Sequence, residues 1–410
     1  MNGHPGMQAP RRVAITGMGA VSALGLGITA HLDALRGAKG GLGPLTLVPH
    51  DKVKTRLAGE VPAFAPEAHF DPRQLGMLDR SGQLALIAAA EAMATAGAVI
   101  DPDARQRAGV IFGAAVGCQS LEEGYQRILV DNGRPHPFTV PRAMPSSAAS
   151  HISMAHRILG PSFATASACS SASHAIGLAF QMVRGGLIDV AVTGGCEAPL
   201  TIGMMKSWEA LRVTSSDTCR PFSKDRSGLV LGEGAAALVL EDMERARARG
   251  ATILGEIVGF GMSADGADLT APDAASCARA IAAALDDAGL APDAVDYVNA
   301  HGTGTVLNDK TETAALRAVL GEGLARVPVS SVKAMTGHCL GAAGGLGAVT
   351  ALLALGNGFF PPTLNFREPD PDCDLDCVPN AAREGAPEVA LVNAFAFGGL
   401  NAVLALRKAA

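Results

Sequence analysis

The chain has 410 residues, 48% of them hydrophobic, enough for a large core spread over two or three domain-sized units. Its net charge of −6 argues against generic binding to nucleic acid or anionic membranes, so an acidic partner would need a local patch of Arg and Lys. Glycine at 49 residues and aromatics at only 4% indicate closely approaching backbones, as in layered α/β proteins rather than an immunoglobulin-like sandwich.

The opening MNGHPGMQAPRR holds no apolar segment of the kind found in a secretory signal. RRVAITGMGAVSALG reads as a strand over Val13–Thr16 followed by a glycine turn. RSGQLALIAAAEAMATAG reads as an amphipathic helix stopped by Gly97. AGVIFGAAVG and IDVAVTGGCEA are buried strands, and between them GPSFATASA reads as a strand entering a tight turn, continued by SSASHAIGLAFQMV as a helix. GAAALVLEDMERARARGATILGEIVGFGMSADG gives a strand, a charged helix end and another strand, with EDMERARARG assigned to a solvent face. Then follow a helix in APDAASCARAIAAALDDAGL, strands into loops at DYVNAHGTGT and VPVSSVKAMTGH, and two strands around a glycine turn in EVALVNAFAFGGLNAVLAL. CLGAAGGLGAVTALLALGNGFF is long enough to cross a membrane, but it is glycine-rich and follows a polar loop, so a buried helix and no membrane insertion are expected.

GEIVGFGMSADG echoes VAITGMGAVSALG, and both parts alternate strands with helices. The expected organisation is therefore an α/β fold with covered sheets, in two related halves, 1–255 and 256–410, without a low-complexity linker. Eight cysteines are scattered without a CxxC pair, and Cys373 and Cys377 lack neighbours for a zinc site. A reducing cytoplasmic location and no metal follow as expectations. GMGAVSALG does not meet G-x-G-x-x-G, so no nucleotide cofactor is expected.

Four segments gather polar residues at strand ends: SACSS (167–171), NAHGTGTVLNDKTE (299–312), VKAMTGH (332–338) and NAFAFGGLN (393–401). Cys169 falls at a helix start, where free N–H groups and the macrodipole favour a thiolate. On its residues alone it is either a nucleophile or an inert packed cysteine. His174, five residues along, would lie about 140° round the helix, so it reads as structural rather than as the base. His301 and His338 are better partners, because each sits where an apolar strand meets a glycine-rich loop.

The cysteine segment, HGTGT, KAMTGH and FAFGG together resemble the motif set of β-ketoacyl-acyl carrier protein synthases, the condensing enzymes of the thiolase superfamily. The resemblance runs from Arg11 onward, and SACSSASHAI with NAFAFGGLNAVLA is most similar to the nodulation-type branch. It implies a thiolase-like fold, two pseudo-symmetric βαβαβαββ halves in a five-layered αβαβα sandwich. It implies that Cys169 accepts an acyl chain, that the N–H groups of Cys169 and Phe397 form the oxyanion hole, and that neutral His301 and His338 stabilise the enolate of malonyl-acyl carrier protein. Lys333, ion-paired with Glu312, would organise the histidines. Thr303 and Thr305 would hold the pantetheine arm, Phe397 would gate the acyl pocket beside Phe395, and Val116 would line the acyl tunnel. Ala396 departs from the usual glycine. The implied partners are acyl- and malonyl-loaded carrier protein and a second copy of the chain, with Arg73, Arg80, Arg127 and Lys206 as candidate docking cations. No cofactor is implied, since phosphopantetheine arrives on the carrier. A specialised ketosynthase (nodulation-type or polyketide-like), a non-catalytic chain-length partner, a degradative thiolase and a cysteine hydrolase are the alternatives. The four residues Cys169, His301, Lys333 and His338 disfavour the last three.

Overall fold

The computed structural model describes residues 10–97, 99–102, 104–117 and 119–409; Cys118 and most of the opening segment lie outside them. The elements that position the site are β1 (Val13–Ser22), α1 (Arg80–Ala96), β2 (Ala108–Gly113), β3 (Ser162–Thr165), α2 (Ser171–Arg184), β4 (Val190–Glu197), β5 (Gly234–Asp242), β6 (Gly255–Ala264), α3 (Ala274–Ala288), β7 (Tyr297–Asn299), α4 (Val306–Leu320), β8 (Val329–Ser330), α5 (Ala343–Asn357), β9 (Val389–Ala396) and β10 (Leu400–Lys408).

Strand pairing follows one path, β8-β7-β9-β10-β6-β1-β5-β4-β2-β3. Its two halves mirror each other. β1 and β5 are antiparallel, as are β5 and β4, while β4, β2 and β3 run parallel. β6 and β10 are antiparallel, as are β10 and β9, while β9, β7 and β8 run parallel. The halves join where Val13–Ile15 of β1 pairs with Gly255–Ile257 of β6. Helices α2 and α5 share one apolar cluster with strands of both halves, α1 packs in a second cluster with the first half, and α3 with α4 form a third with the second half. The result is the five-layered α/β sandwich of the thiolase-like fold.

The GMG and GFG segments are not turns. Each lies inside a strand, because a side chain there would strike the outer helix. A Cβ on Gly17 or Gly19 would come within 2.0 or 2.1 Å of the Ala92 or Ala88 carbonyl oxygen of α1. In the other half Gly259 and Gly261 face Ala284 and Ala280 of α3 at 2.2 and 2.1 Å. The sequence echo is therefore a helix-on-strand contact repeated in each half. The charged run after β5 also departs from a plain solvent face. Glu241 is fully buried and accepts from Arg245, Arg249 and the Thr16 hydroxyl.

The apolar run before Phe360 is interior, as its all-round hydrophobicity requires. Leu340–Asn357 is the one helix among the described residues long and apolar enough to cross a membrane, and 83% of it is buried. Among the described residues seven cysteines are free and buried.

Candidate active site

Cys169 stands in a short 3-10 turn, Ala168–Ser170, between the loop after β3 and the start of α2. Ala168 has φ of 49°, a left-handed conformation that a non-glycine residue holds only under constraint. The Ser-rich surround supplies that constraint: Ser171 Oγ donates to the Ala168 carbonyl at 2.7 Å and accepts from Ser167 N–H at 2.9 Å, while Ser170 Oγ donates to the Ser167 carbonyl at 2.8 Å. His174 sits behind this turn, with Nδ1 2.8 Å from Ser167 Oγ and its ring edge-on to Phe260. It is a packed, hydrogen-bonded histidine, as its place on the helix predicts.

His338 reaches the sulfur instead. Its Nε2 lies 3.0 Å from Cys169 Sγ. A bridge to Leu231 fixes its backbone: His338 N–H donates to Val230 at 2.7 Å and its carbonyl accepts from Gly232 N–H at 3.1 Å. His301 leaves the end of β7 and turns through Gly302 at φ 42°. Its ring stands edge-on to His338, centroids 5.5 Å apart, and contacts Phe395 at 6.3 Å. Both imidazoles are held well below the usual histidine range, first by burial and then by the Lys333 charge. They are neutral, and the Nδ1 of each is buried without a partner.

Lys333 and Glu312 do not form the direct ion pair expected of them. Both are buried, but they grip opposite sides of one peptide segment. Lys333 Nζ donates to the His301 carbonyl. Glu312 accepts from the N–H groups of His301 at 2.8 Å and Gly302 at 2.7 Å, and from Asn393 Nδ2 at 3.0 Å. Burial pushes Lys333 down and Glu312 up. The pair thus braces the His301 backbone rather than neutralising itself.

Burial pushes the Cys169 thiol up to about 12, against the pull of Lys333 and, more weakly, of the backbone N–H groups of Cys169 and Phe397. The helix start therefore does not by itself yield a thiolate in the free protein, because desolvation outweighs it.

Cys169, His301, His338, Thr303, Thr305, Phe395 and Phe397 all line one cavity of about 350 Å³. Thr303 and Thr305 hydroxyls lie 2.9 Å apart on its wall. Phe397 is half-buried and stacks on Trp208, a residue that sequence reasoning passed over. Val116 is not on this cavity. It is 38% exposed, and its N–H donates to Glu197 at 3.2 Å. Glu197, also missed, is buried, accepts in addition from Ala115 and Gly341, and is pushed up to about 8 by desolvation. Among the candidate docking cations, Arg73, Arg127 and Lys206 are exposed. Arg80 is not available, because it makes a two-pronged ion pair with buried Glu233 and covers the Phe64 ring. Among the described residues no group of three or more His, Cys, Asp or Glu could hold a metal ion.

A buried cysteine and two neutral histidines, gathered on one cavity of a doubled α/β sandwich, fit a thiolase-like condensing enzyme. The chain belongs to the β-ketoacyl synthase family: residues 10–246 match its N-terminal domain and residues 254–367 its C-terminal domain. It is 46% identical to Nodulation protein E of Rhizobium sp. (strain N33) over 97% of this chain and 99% of that protein. It is 40% identical to 3-oxoacyl-[acyl-carrier-protein] synthase 2 of Staphylococcus aureus (strain COL), over 98% and 99% of the two chains. The solved ishigamide ketosynthase/chain length factor superposes with a TM-score of 0.92 at 37% identity, covering 98% of this chain and all of that one. The chain is thus a condensing enzyme of the acyltransferase type.

Proposed function

We propose that Cys169 is the nucleophile of a decarboxylative condensation between an acyl chain and malonyl-acyl carrier protein, with His301 and His338 as the enolate donors. One observation carries the reading: Cys169 Sγ lies 3.0 Å from His338 Nε2, in a cavity that His301 and Phe397 also line. In the first half-reaction Sγ attacks the thioester of the acyl carrier. The new S–acyl bond forms, the carrier's S–acyl bond breaks, and the Sγ proton ends on the released carrier thiol. The Cys169 and Phe397 N–H groups hold the oxyanion meanwhile. In the second, the malonyl thioester loses carbon dioxide and the electron pair passes to an enolate whose oxygen accepts from the two imidazoles. The enolate carbon then attacks the acyl-Cys169 carbonyl, a C–C bond forms, and the Cys169 thiolate leaves and regains a proton. Lys333 and Glu312 position His301, Thr303 and Thr305 face the pantetheine arm, and the reaction draws on no further cofactor.

The carrier protein as partner is supported by the name of the Staphylococcus relative, and Arg73, Arg127 and Lys206 are the cations free to meet it. Higher identity to Nodulation protein E than to the Staphylococcus synthase supports a specialised acyl chain rather than housekeeping elongation. Buried free thiols support a reducing cytoplasmic setting. A second copy of this chain is the proposed subunit partner.

Cys169→Ala should abolish condensation while malonyl-carrier decarboxylation persists; retained condensation would sink the nucleophile assignment. Because His338 touches the sulfur and His301 does not, His301→Ala is the cleaner test of the enolate role. It should slow decarboxylation about 100- to 1,000-fold with a smaller effect on acyl transfer.

A further inference from the structure

We propose that Trp208 is the latch of the Phe397 gate, a positioning residue whose indole holds the Phe397 N–H at the Cys169 sulfur and so sets the rate of acyl transfer. The inference rests on the nucleophile reading above. Trp208 is the only tryptophan of the chain and is 8% exposed on the helix Ile202–Leu211. Its ring stacks on Phe397, centroids 5.8 Å apart and planes 19° from parallel. Both rings line the cavity that reaches Cys169, and both pack in the apolar cluster that contains Cys169, Leu229, Leu340 and Ala396.

The two partners of the stack are held very differently. The Trp208 helix is anchored at both ends. Glu209 accepts the N–H groups of Lys54 and Thr55, each at 2.6 Å, and the Thr55 hydroxyl at 2.9 Å. At the other end Thr201 caps the helix and donates its hydroxyl to Glu122 at 2.8 Å. Phe397 is framed at its backbone, in the hairpin that the paired Ala396 and Leu400 close, where Gly399 N–H donates to the Ala396 carbonyl at 3.1 Å. Its backbone passes into Gly398 and Gly399, both left-handed at φ 83° and 67°, and these are tied to the 265–269 loop by Gly398 N–H to Leu269 and Asp265 N–H to Gly399. Those bonds hold the backbone on both sides of the ring and leave the ring itself to the indole. The anchored indole therefore seats the ring within that hairpin, and the Phe397 N–H inherits the final adjustment.

The test uses the full-length protein as Trp208→Leu and Trp208→Phe variants, with matching melting temperatures as the check on folding. Formation of acyl-Cys169 is followed by rapid quench and mass spectrometry, and malonyl-carrier decarboxylation is measured beside it. An aromatic pair of this kind is worth about 2- to 10-fold in an equilibrium. W208L should slow acyl transfer by that factor and leave decarboxylation within about twofold, and W208F should restore the rate. Equal loss in both reactions, or unchanged acyl transfer in W208L, overturns the latch. A second readout needs no turnover, since the emission of the protein reports Trp208 alone. Phe397→Ala should raise quenching of that emission by acrylamide, and alkylation of Cys169 with a long-chain iodoacetamide should shift it. Emission indifferent to both overturns the proposal even in an active enzyme. A wild-type protein acylated at a residue other than Cys169 overturns the nucleophile reading instead, and the emission measurement still decides the stack.

Discussion

At Cys169 two opposing fields decide when the sulfur can react. Enclosure in an apolar cluster raises the thiol, and the Lys333 charge with two backbone N–H groups lowers it, with enclosure the stronger. A thiol at about 12 carries little thiolate at neutral pH, so alkylation of the free enzyme by iodoacetamide should keep accelerating through the alkaline range. A plateau reached near neutrality would show that the helix start, not enclosure, governs this sulfur. Lys333→Met removes a charge that favours the thiolate, and it should slow alkylation over the pH range in which Lys333 is protonated. The histidines behave oppositely. Both are depressed below their ordinary range, so they are already neutral above it and lose activity only on acidification. Decarboxylation by the Cys169→Ala protein should accordingly be flat from roughly pH 6.5 to 8, measured as carbon dioxide release. The motif residues themselves were legible in the sequence, because Cys169, His301 and His338 each sit where an apolar strand gives way to small polar residues. The Lys333 to Glu312 arrangement was not, since spacing cannot say whether two opposite charges meet or clasp a shared peptide.

The central helix α5 tests how closely the layers are fitted. Gly344 faces α2 across the middle layer, and a Cβ there would sit 2.1 Å from Ser173 Oγ and 2.9 Å from the Ser173 nitrogen. Gly356, the penultimate residue of the same helix, is exposed and has nothing within 4 Å of such a Cβ. Gly344→Ala should therefore destabilise the protein by about 1–3 kcal/mol through overpacking. Gly356→Ala should stabilise it by about 0.4–1 kcal/mol through helix propensity and a less free unfolded chain. Denaturant midpoints of the two variants should fall on opposite sides of wild type; the same sign for both would mean the interlayer contact yields freely. That α5 is interior was readable from apolar residues on every face. The meaning of Gly17 and Gly19 was not, because glycine within a strand-like run signals either a turn or a helix pressed against the strand, and only the partner's position separates them. Glu241 misled for a similar reason: a charge run is solvated unless its own arginines fold back over it.

At the scale of the whole molecule, the doubled rhythm of strands and helices was visible along the chain, but the surface that a second copy would cover was not. In the folded chain β3 is an edge strand, paired with β2 alone. Unpaired edges in stable proteins are covered or blunted. Beside it, the helices Thr139–Ala143 and Ser147–His156 lead to the helix Gln119–Leu129, and this stretch exposes Leu121, Tyr125, Leu129, Phe138, Val140 and Met144. An apolar face of that extent beside an open edge marks a protein interface. Val116 stands close in sequence to the same helix and is exposed in the single chain, so it can line an acyl tunnel only if another subunit closes over it. The protein should run as a dimer in light scattering at micromolar concentration. Tyr125→Asp combined with Leu129→Asp places two charges on the face, 63% and 74% exposed in the single chain, and should yield a folded monomer. That monomer should lose long-chain acyl transfer more than short-chain transfer, because an acyl tunnel at Val116 would be reached only by the longer chain. A monomeric wild type, or a double variant that stays dimeric, would place the subunit contact elsewhere, and a monomer with undiminished long-chain transfer would detach the acyl tunnel from the interface.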